Sequence, residues 1–149
     1  MRAVIQRVKQ ASVTVDGQVV SSIGPGLMWI TKEDTKVDCE YLLKKIFGLK
    51  LWPNPESDKS WDKSVKDLQY EVLFVSQFTL YATTSKGLKP DFHLAAGSEY
   101  SKAFYEEFLV DAKKIYNPER IKDGQFGAMM DVGLVNDGPV TISLDSKNK

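Results

Sequence analysis

The sequence predicts a mixed α/β domain, a largely antiparallel, barrel-like sheet with two covering helices, and three patterns in the chain point to it. Apolar and polar residues alternate with the two-residue period of strands over residues 3–8, 12–15 and 18–23. Two longer segments, one opening near Thr35 and one at Ser98, repeat apolar residues at the helical period. Short apolar runs bounded by turn residues return at 71–78, 128–135 and 140–144, so strands and helices interleave in one chain.

In chain order, Asp16-Gly17 is a strong hairpin signal between the second and third alternating runs. Gly24-Pro25-Gly26 turns the chain into a short apolar strand over 27–31. Asp34 or Thr35 supplies the cap of a first helix whose apolar positions are Val37, Tyr41, Leu42, Ile46 and Leu49. Residues 49–52 read as a further strand, and the proline-bearing polar stretch 53–60 as a loop. The run 71–78 reads as a buried strand. Residues 83–96 read as a long loop, which in a compact domain implies a task. Ser98 caps a second helix carrying Phe104, Phe108, Ala112 and Ile115 on one face, and Asn117-Pro118 stops it. Strands over 128–135 and 140–144 follow, joined by a turn at 136–139, and residues 146–149 form a frayed polar tail.

A chain of 149 residues fits one domain over 1–149. Its 42% hydrophobic and 27% charged residues are ordinary for a globular protein, and no apolar run approaches the roughly 18 residues of a membrane span. The opening alternates like a strand rather than a secretory signal, so the expected location is cytoplasmic. One cysteine, Cys39, excludes an internal disulfide, and one histidine, His93, leaves no Cys/His cluster for structural zinc; neither metal nor cofactor is expected. With 20 basic and 20 acidic residues the net charge is zero, so any nucleic-acid contact must come from a local patch. Lys44 with Lys45, Lys86 with Lys89, and Lys113 with Lys114 are the candidate pairs, of which only the second lies near a motif.

Two segments break the apolar strand pattern in a way that packing does not require. Ser76-Gln77-Phe78-Thr79-Leu80-Tyr81 continues an apolar run with polar residues, and Asn136-Asp137-Gly138-Pro139-Val140-Thr141 contains a Gly-Pro step that cannot donate to a ladder. No nucleophile-base set accompanies them. His93 reads as a locally bonded loop side chain, Asp131 and Asp137 as acceptors for nearby backbone donors, and no phosphate-cradling glycine motif is present.

Both hexapeptides, in this order, together with Met1-Arg2-Ala3-Val4-Ile5-Gln6-Arg7-Val8 and Ala11-Ser12-Val13-Thr14-Val15, resemble the D-aminoacyl-tRNA deacylase family over essentially the whole chain. Lys86-Gly87-Leu88-Lys89-Pro90-Asp91-Phe92 is similar to the family's Gly-x-x-Pro-x-Phe loop, and Phe126-Gly127-Ala128-Met129-Met130 to its Phe-Gly-Ala-x-Met segment. The resemblance implies hydrolysis of the ester joining a D-amino acid, or glycine mischarged on tRNA(Ala), to the tRNA 3′ end. The partner is then aminoacyl-tRNA, and the assembly a homodimer. Apart from the resemblance, Trp29, Leu73 and Phe126, apolar residues without an assigned destination, are the only support for that assembly.

Carried over by position, Ser76, Gln77, Phe78 and Thr79 are the candidate catalytic residues. Gly138, Pro139, Met130, Arg7 and Asn136 are the candidate substrate-binding residues. The Gly138-Pro139 bond is implied to be cis, with carbonyls that hold the substrate amino group and exclude an L side chain, and Arg7 is implied to brace the Gly-Pro carbonyl. A site of backbone groups and hydroxyls suits an ester whose neighbouring ribose hydroxyl helps to activate water. Thr79 as a nucleophile would need an adjacent base. The chain departs from the usual loop at Lys89 and Asp91, where relatives commonly show Arg and Ser.

Two alternatives remain. A sister branch edits L-aminoacyl-tRNA and shows Pro-Gln-Ala-Thr at the first motif, against which Ser76 and Phe78 argue. A nucleic-acid-binding accessory role with a DNA partner, as linked to some eukaryotic relatives, calls for a basic tail, and Ser146-Lys147-Asn148-Lys149 is a poor one.

Overall fold

A computed structural model describes residues 1–29, 35–95 and 97–148. The expected end of the third strand at 30–31, Asp34 as an alternative cap, Ala96 and Lys149 lie outside the described residues.

Strand β1, Arg2–Val15, is the spine of a six-stranded sheet. Along one edge it pairs antiparallel with β6, Asp131–Asp145, from Arg2 opposite Asp145 to Thr14 opposite Asp131. Its other edge is shared by β3 (Gly26–Trp29) along residues 6–8 and β2 (Gln18–Ile23) along residues 11–15, both antiparallel. From β3 the sheet continues through β4 (Glu71–Phe74) to β5 (Ile121–Asp123) in parallel. A helix lies in each of those two connections, and a crossover of that length returns the chain in the same direction. The Ser21 hydroxyl of β2 donates to the Asp123 carbonyl of β5 at 2.8 Å, drawing the two ends of the path together into the barrel-like shape. Gly26 is fixed by this packing, because a Cβ there would stand 2.0 Å from the Glu71 carbonyl oxygen.

The side chains of β4 fill both faces of the sheet. Val72 and Phe74 join a core beneath the helices, while Leu73 and Val75 join a second core with Val8, Ala11, Val13, Val15 and Ile23. Burial on both faces explains the unbroken Val-Leu-Phe-Val run. The strand is shorter than the 71–78 expected, since the parallel ladder with β5 runs out at Asp123 and the Phe74 carbonyl is taken by the Gly124 N–H at 2.9 Å. Residues 49–52 form no strand either; Leu49 caps α1, and only an isolated bridge from Trp52 to Lys63 follows.

Helix α1, Lys36–Gly48, opens at Thr35, whose N–H and hydroxyl both donate to Asp38 Oδ2 at 3.0 and 2.7 Å. Its buried stripe is Cys39, Leu42, Leu43, Ile46 and Phe47. Val37 was expected on that stripe and is 67% exposed, because two residues before Cys39 is the opposite side of a helix. Helix α2, Ser98–Ile115, takes Gly97 rather than Ser98 as its N-cap. Tyr105, Phe108, Leu109 and Ala112 bury one face, and Tyr116 rather than Ile115 completes it. The expected stop at Asn117-Pro118 is met, with the Asn117 side chain capping a short 3-10 helix, Pro118–Arg120.

The C-terminal residues are docked where a frayed tail was expected. Ser146 is buried, its N–H donates to the Met1 carbonyl at 2.7 Å, and Lys147 Nζ reaches Asp38 Oδ2 at 2.6 Å. Burial alone would raise the Asp38 pKa, but hydrogen bonds from Lys147, Ser146 and Thr35 hold it well below the usual carboxylate range. Leu73 is fully buried and Phe126 packs against the first core, so neither supports an interface; the Trp29 side chain lies outside what is described.

Candidate ester-hydrolysis site

The first motif leaves the sheet as soon as β4 ends. Val75 is buried, Ser76 half-buried and Gln77 exposed, after which Phe78–Tyr81 winds into a single 3-10 turn with Gln77 as its N-cap and no side chain capping its N–H groups. The Gln77 side-chain amide donates to the Thr79 hydroxyl oxygen. An amide donor satisfies that oxygen without drawing off its proton, so the contact orients Thr79 but does not activate it as a nucleophile. The Phe78 ring is 56% exposed and meets Phe92 edge-on, 5.1 Å between centroids.

Phe92 is presented by a clasped loop. The backbones of Thr83 and Asp91 exchange two hydrogen bonds of 2.9 Å, closing residues 84–90 into an excursion that carries exposed Lys86, Leu88 and Lys89. The Asp91 carboxylate then accepts from the His93 N–H at 2.9 Å and lies 2.8 Å from His93 Nδ1. Those bonds from the His93 backbone and side chain lower the Asp91 pKa. His93 is therefore a locally bonded side chain, as its isolation in the sequence implied.

The second motif is a bulge within one strand, where the sequence had suggested a turn joining two. In the β1–β6 ladder Arg7 stands opposite Val140 and Val8 opposite Asn136, leaving Asp137, Gly138 and Pro139 without partners. Looping out three residues removes the proline that cannot donate and lets the ladder resume on both sides. Gly138 has φ +129° and the Gly138–Pro139 peptide is cis. Arg7 holds the bulge from below. Its Nε donates to the Asp137 carbonyl at 3.0 Å and lies 3.2 Å from Asp137 Oδ2, while Nη1 donates to the Leu51 carbonyl. With 15% of its side chain exposed, Arg7 is not a surface charge, and the carbonyl it braces is that of Asp137 rather than of Gly138 or Pro139. Asn136, Gly138 and Pro139 are exposed.

Among the described residues no hydrogen bond or ion pair joins Ser76, Gln77, Phe78 or Thr79 to Gly138 or Pro139. What the two motifs share is a floor: Leu80 from the 3-10 turn and Met130 and Leu134 from the approach to the bulge pack on the second core. One tie went unread in the sequence because it spans distant positions. Arg2 Nε lies 3.1 Å from Asp145 Oδ2, its Nη1 donates to the Leu80 carbonyl at 3.1 Å, and its guanidinium sits 4.7 Å from the centre of the Tyr81 ring.

Titratable groups elsewhere offer little chemistry. Burial, reinforced by Asp111 and Glu107, pushes the Cys39 thiol up to about 12, leaving it protonated and inert at neutral pH. Burial likewise raises the Asp123 carboxyl and the Tyr105 phenol, whose hydroxyl donates to the Phe74 carbonyl at 3.1 Å. Among the described residues no group of three or more His, Cys, Asp and Glu is arranged to hold a metal ion, and no helix is long and apolar enough to cross a membrane.

Comparison with known proteins brings these features together. Residues 4–145 match a family model described as D-Tyr-tRNA(Tyr) deacylase. The chain is 59% identical over 152 residues to a D-aminoacyl-tRNA deacylase of Dictyostelium discoideum, covering 100% of both proteins. It is 53% identical to D-aminoacyl-tRNA deacylase 1 of Homo sapiens, covering 98% of this chain and 70% of that protein. A solved structure described as c-Myc DNA Unwinding Element Binding Protein superposes with a TM-score of 0.91 at 51% identity, covering 97% of this chain and 98% of the other. A second, described as a probable eukaryotic D-amino acid tRNA deacylase, shares the fold with a TM-score of 0.79 at 18% identity, covering 96% and 97%.

Proposed function

From its membership of the D-Tyr-tRNA(Tyr) deacylase family, to which this chain belongs, we propose that it clears D-amino acids from charged tRNA by hydrolysing the ester to the terminal ribose. The enzyme is a hydrolase of the D-aminoacyl-tRNA deacylase type. The observation that carries the reading is identity with such a deacylase along the full chain, with both motifs present in order.

In the mechanism we favour, the protein positions the ester and the substrate supplies the reactive group. The uncapped N–H groups at Phe78 and Thr79 face the developing oxyanion, Ser76 and Gln77 line the ester, and the neighbouring ribose hydroxyl helps a water to attack. The Gln77 donor on Thr79 supports this over nucleophilic attack by the threonine. Chirality is read by main chain. The carbonyls at the Gly138–Pro139 bulge hold the amino group, Arg7 keeps the bulge in place through Asp137, and Asn136 and Met130 form adjoining walls. An L side chain collides with this backbone, whereas glycine passes, so glycyl-tRNA(Ala) is a substrate as well.

Because no hydrogen bond or ion pair among the described residues joins the two motifs of one chain, the bulge of one copy is read as completing the ester site of a second, giving a homodimer. The exposed Val132 and Val135 of β6 support such contact. Lys86 and Lys89 flank the site on the clasped loop and contact the tRNA 3′ end. The reading needs neither metal nor cofactor and places the work in the cytoplasm, where charged tRNA is used.

The test is release of amino acid from D-tyrosyl- and L-tyrosyl-tRNA by the purified protein. Release from the D form alone is expected, and equal rates on both enantiomers would remove the filter. Thr79→Ala is expected to lower kcat by no more than about tenfold, whereas loss of several orders of magnitude would make Thr79 the nucleophile. A second reading, DNA binding without hydrolysis, is favoured by the 51% identity to the DNA unwinding element binding protein. It predicts a shifted DNA duplex and no amino acid release in the same preparations.

A further inference from the structure

We propose that Arg2 is a positioning residue for the hydrolytic reaction, holding the C-terminal end of the 3-10 turn that carries Phe78 and Thr79; this rests on the ester site as read above. The turn is only four residues long, Phe78–Tyr81, too short to fix its own orientation. Its N-terminal end is steadied by the exposed Phe78–Phe92 contact, and its other end meets the guanidinium. Carbonyls at a helical C-terminus carry partial negative charge and lack donors, and Arg2 satisfies that of Leu80 while its planar face covers Tyr81.

The anchor behind the guanidinium is what makes this more than a surface contact. Arg2 is the first residue of β1 and stands in register opposite Asp145 of β6, whose carboxylate takes its Nε. Burial opposes ionisation of Asp145, but the Lys147 N–H and Arg2 outweigh it and lower its pKa, so the pair is charged at neutral pH. Five positions further along the same strand, Arg7 holds the second motif. One strand therefore carries two guanidinium groups, one for each motif. A cleft of about 380 Å³ lies between Leu80 and the Ser143–Asp145 end of β6, with Arg2 in its lining.

The experiment is steady-state deacylation of D-tyrosyl-tRNA by Arg2→Ala and Arg2→Lys, with Phe78→Ala alongside and melting temperatures recorded for each. Misplacing the turn lowers kcat of Arg2→Ala by roughly tenfold or more, with KM and melting temperature close to those of the parent, because the side chain is half exposed. Arg2→Lys fails to restore kcat, since one ammonium cannot engage the carboxylate, the carbonyl and the ring face together. A lowered melting temperature with unchanged kcat, or full rescue by lysine, would overturn the proposal. If Phe78→Ala damages the reaction and Arg2→Ala does not, the Arg2 proposal alone fails; if both are silent, the site itself is misread and the proposal falls with it.

Discussion

The two motifs solve opposite problems with opposite means. The 76–81 segment ends in a single 3-10 turn, its side chains are exposed or half-buried, and its contacts include a ring edge, an amide-to-hydroxyl bond and one guanidinium at its end. The 136–139 segment is a main-chain bulge set in the longest described strand and held from beneath by a guanidinium that is itself largely buried. The first arrangement tolerates small adjustments, which on the proposed reading are made around a reacting ester. The second does not, and on the proposed reading that intolerance discriminates mirror images. Removing a group from the second region should therefore change both stability and selectivity, and removing one from the first should change rate alone.

The sharpest way to break that contrast is Gly138→Ala. At φ +129° an added Cβ stands 2.9 Å from the Val140 nitrogen, a backbone atom that cannot swing aside. The strain is about 1–3 kcal/mol, and relief requires the bulge to move. The expected result is a fall in the ratio of D to L deacylation by about a hundredfold, measured as kcat/KM on both tyrosyl-tRNAs. A variant with the parent's ratio would show that the main chain at 138 does not face the substrate.

Arg7→Ala comes next. It strips the donor from two main-chain carbonyls, Asp137 and Leu51, and each part-buried acceptor left unpaired costs up to about 1–3 kcal/mol. For a domain of this size each kcal/mol lowers the melting temperature by about 2–4 °C, so thermal denaturation should report a drop of several degrees together with weaker selectivity. Arg7→Lys should recover little, because the Nε and Nη1 donors point to different segments. An unchanged melting temperature would mean that the bulge holds itself.

Much of this contrast was legible in the chain, and the missing parts have physical causes. The hairpin at Asp16-Gly17, the Thr35 cap and the stop at Asn117-Pro118 are local signals, and the structure keeps them. Both motifs stood out because polar or proline residues interrupt apolar runs. Continuity of β6 through Pro139 did not, since proline alone reads as a ladder breaker, and only the register with β1 reveals that three residues are looped out. Arg7 as a brace was anticipated, but its partner carbonyl was not, because a bulge shifts which carbonyl points inward. The tail was misread for a similar reason: Ser146 and Lys147 are polar, yet Asp38 and Met1, more than a hundred positions away, give them partners. Val37 and Ile115 satisfied an approximate helical period, and a stripe displaced by a residue or two was enough to leave them exposed.

A smaller effect is expected on the first side of the comparison. Phe92→Ala removes the ring that steadies Phe78, and since both rings are substantially exposed the stability change should stay within about 0.5 kcal/mol. Rate should still suffer, with kcat reduced by about fivefold and selectivity retained, because the bulge is untouched. Loss of selectivity in Phe92→Ala would mean that the two regions are not separable.

The smallest expected effect is a response to acid, and it distinguishes the regions without any mutation. The loop that presents Phe92 is clasped by the Thr83 and Asp91 backbones, and the turn that follows is held by the Asp91 carboxylate, whose pKa is lowered by its bonds to the backbone and side chain of His93. A carboxylate with a depressed folded pKa contributes its stabilisation above its unfolded pKa and loses it as pH falls through the folded one. Acidification from pH about 5 downward should therefore release the His93 amide, visible as a shift of its proton resonance, and loosen the Phe78–Phe92 contact. Arg7 Nε also lies 3.2 Å from the Asp137 carboxylate, but Nη1 donates to the Leu51 carbonyl, a main-chain acceptor that does not titrate, so the Arg7 Nη1 protons should remain protected over the same range. If both resonances change together, the two motifs share one acid-sensitive scaffold, and the division into an adaptable half and a fixed half is wrong.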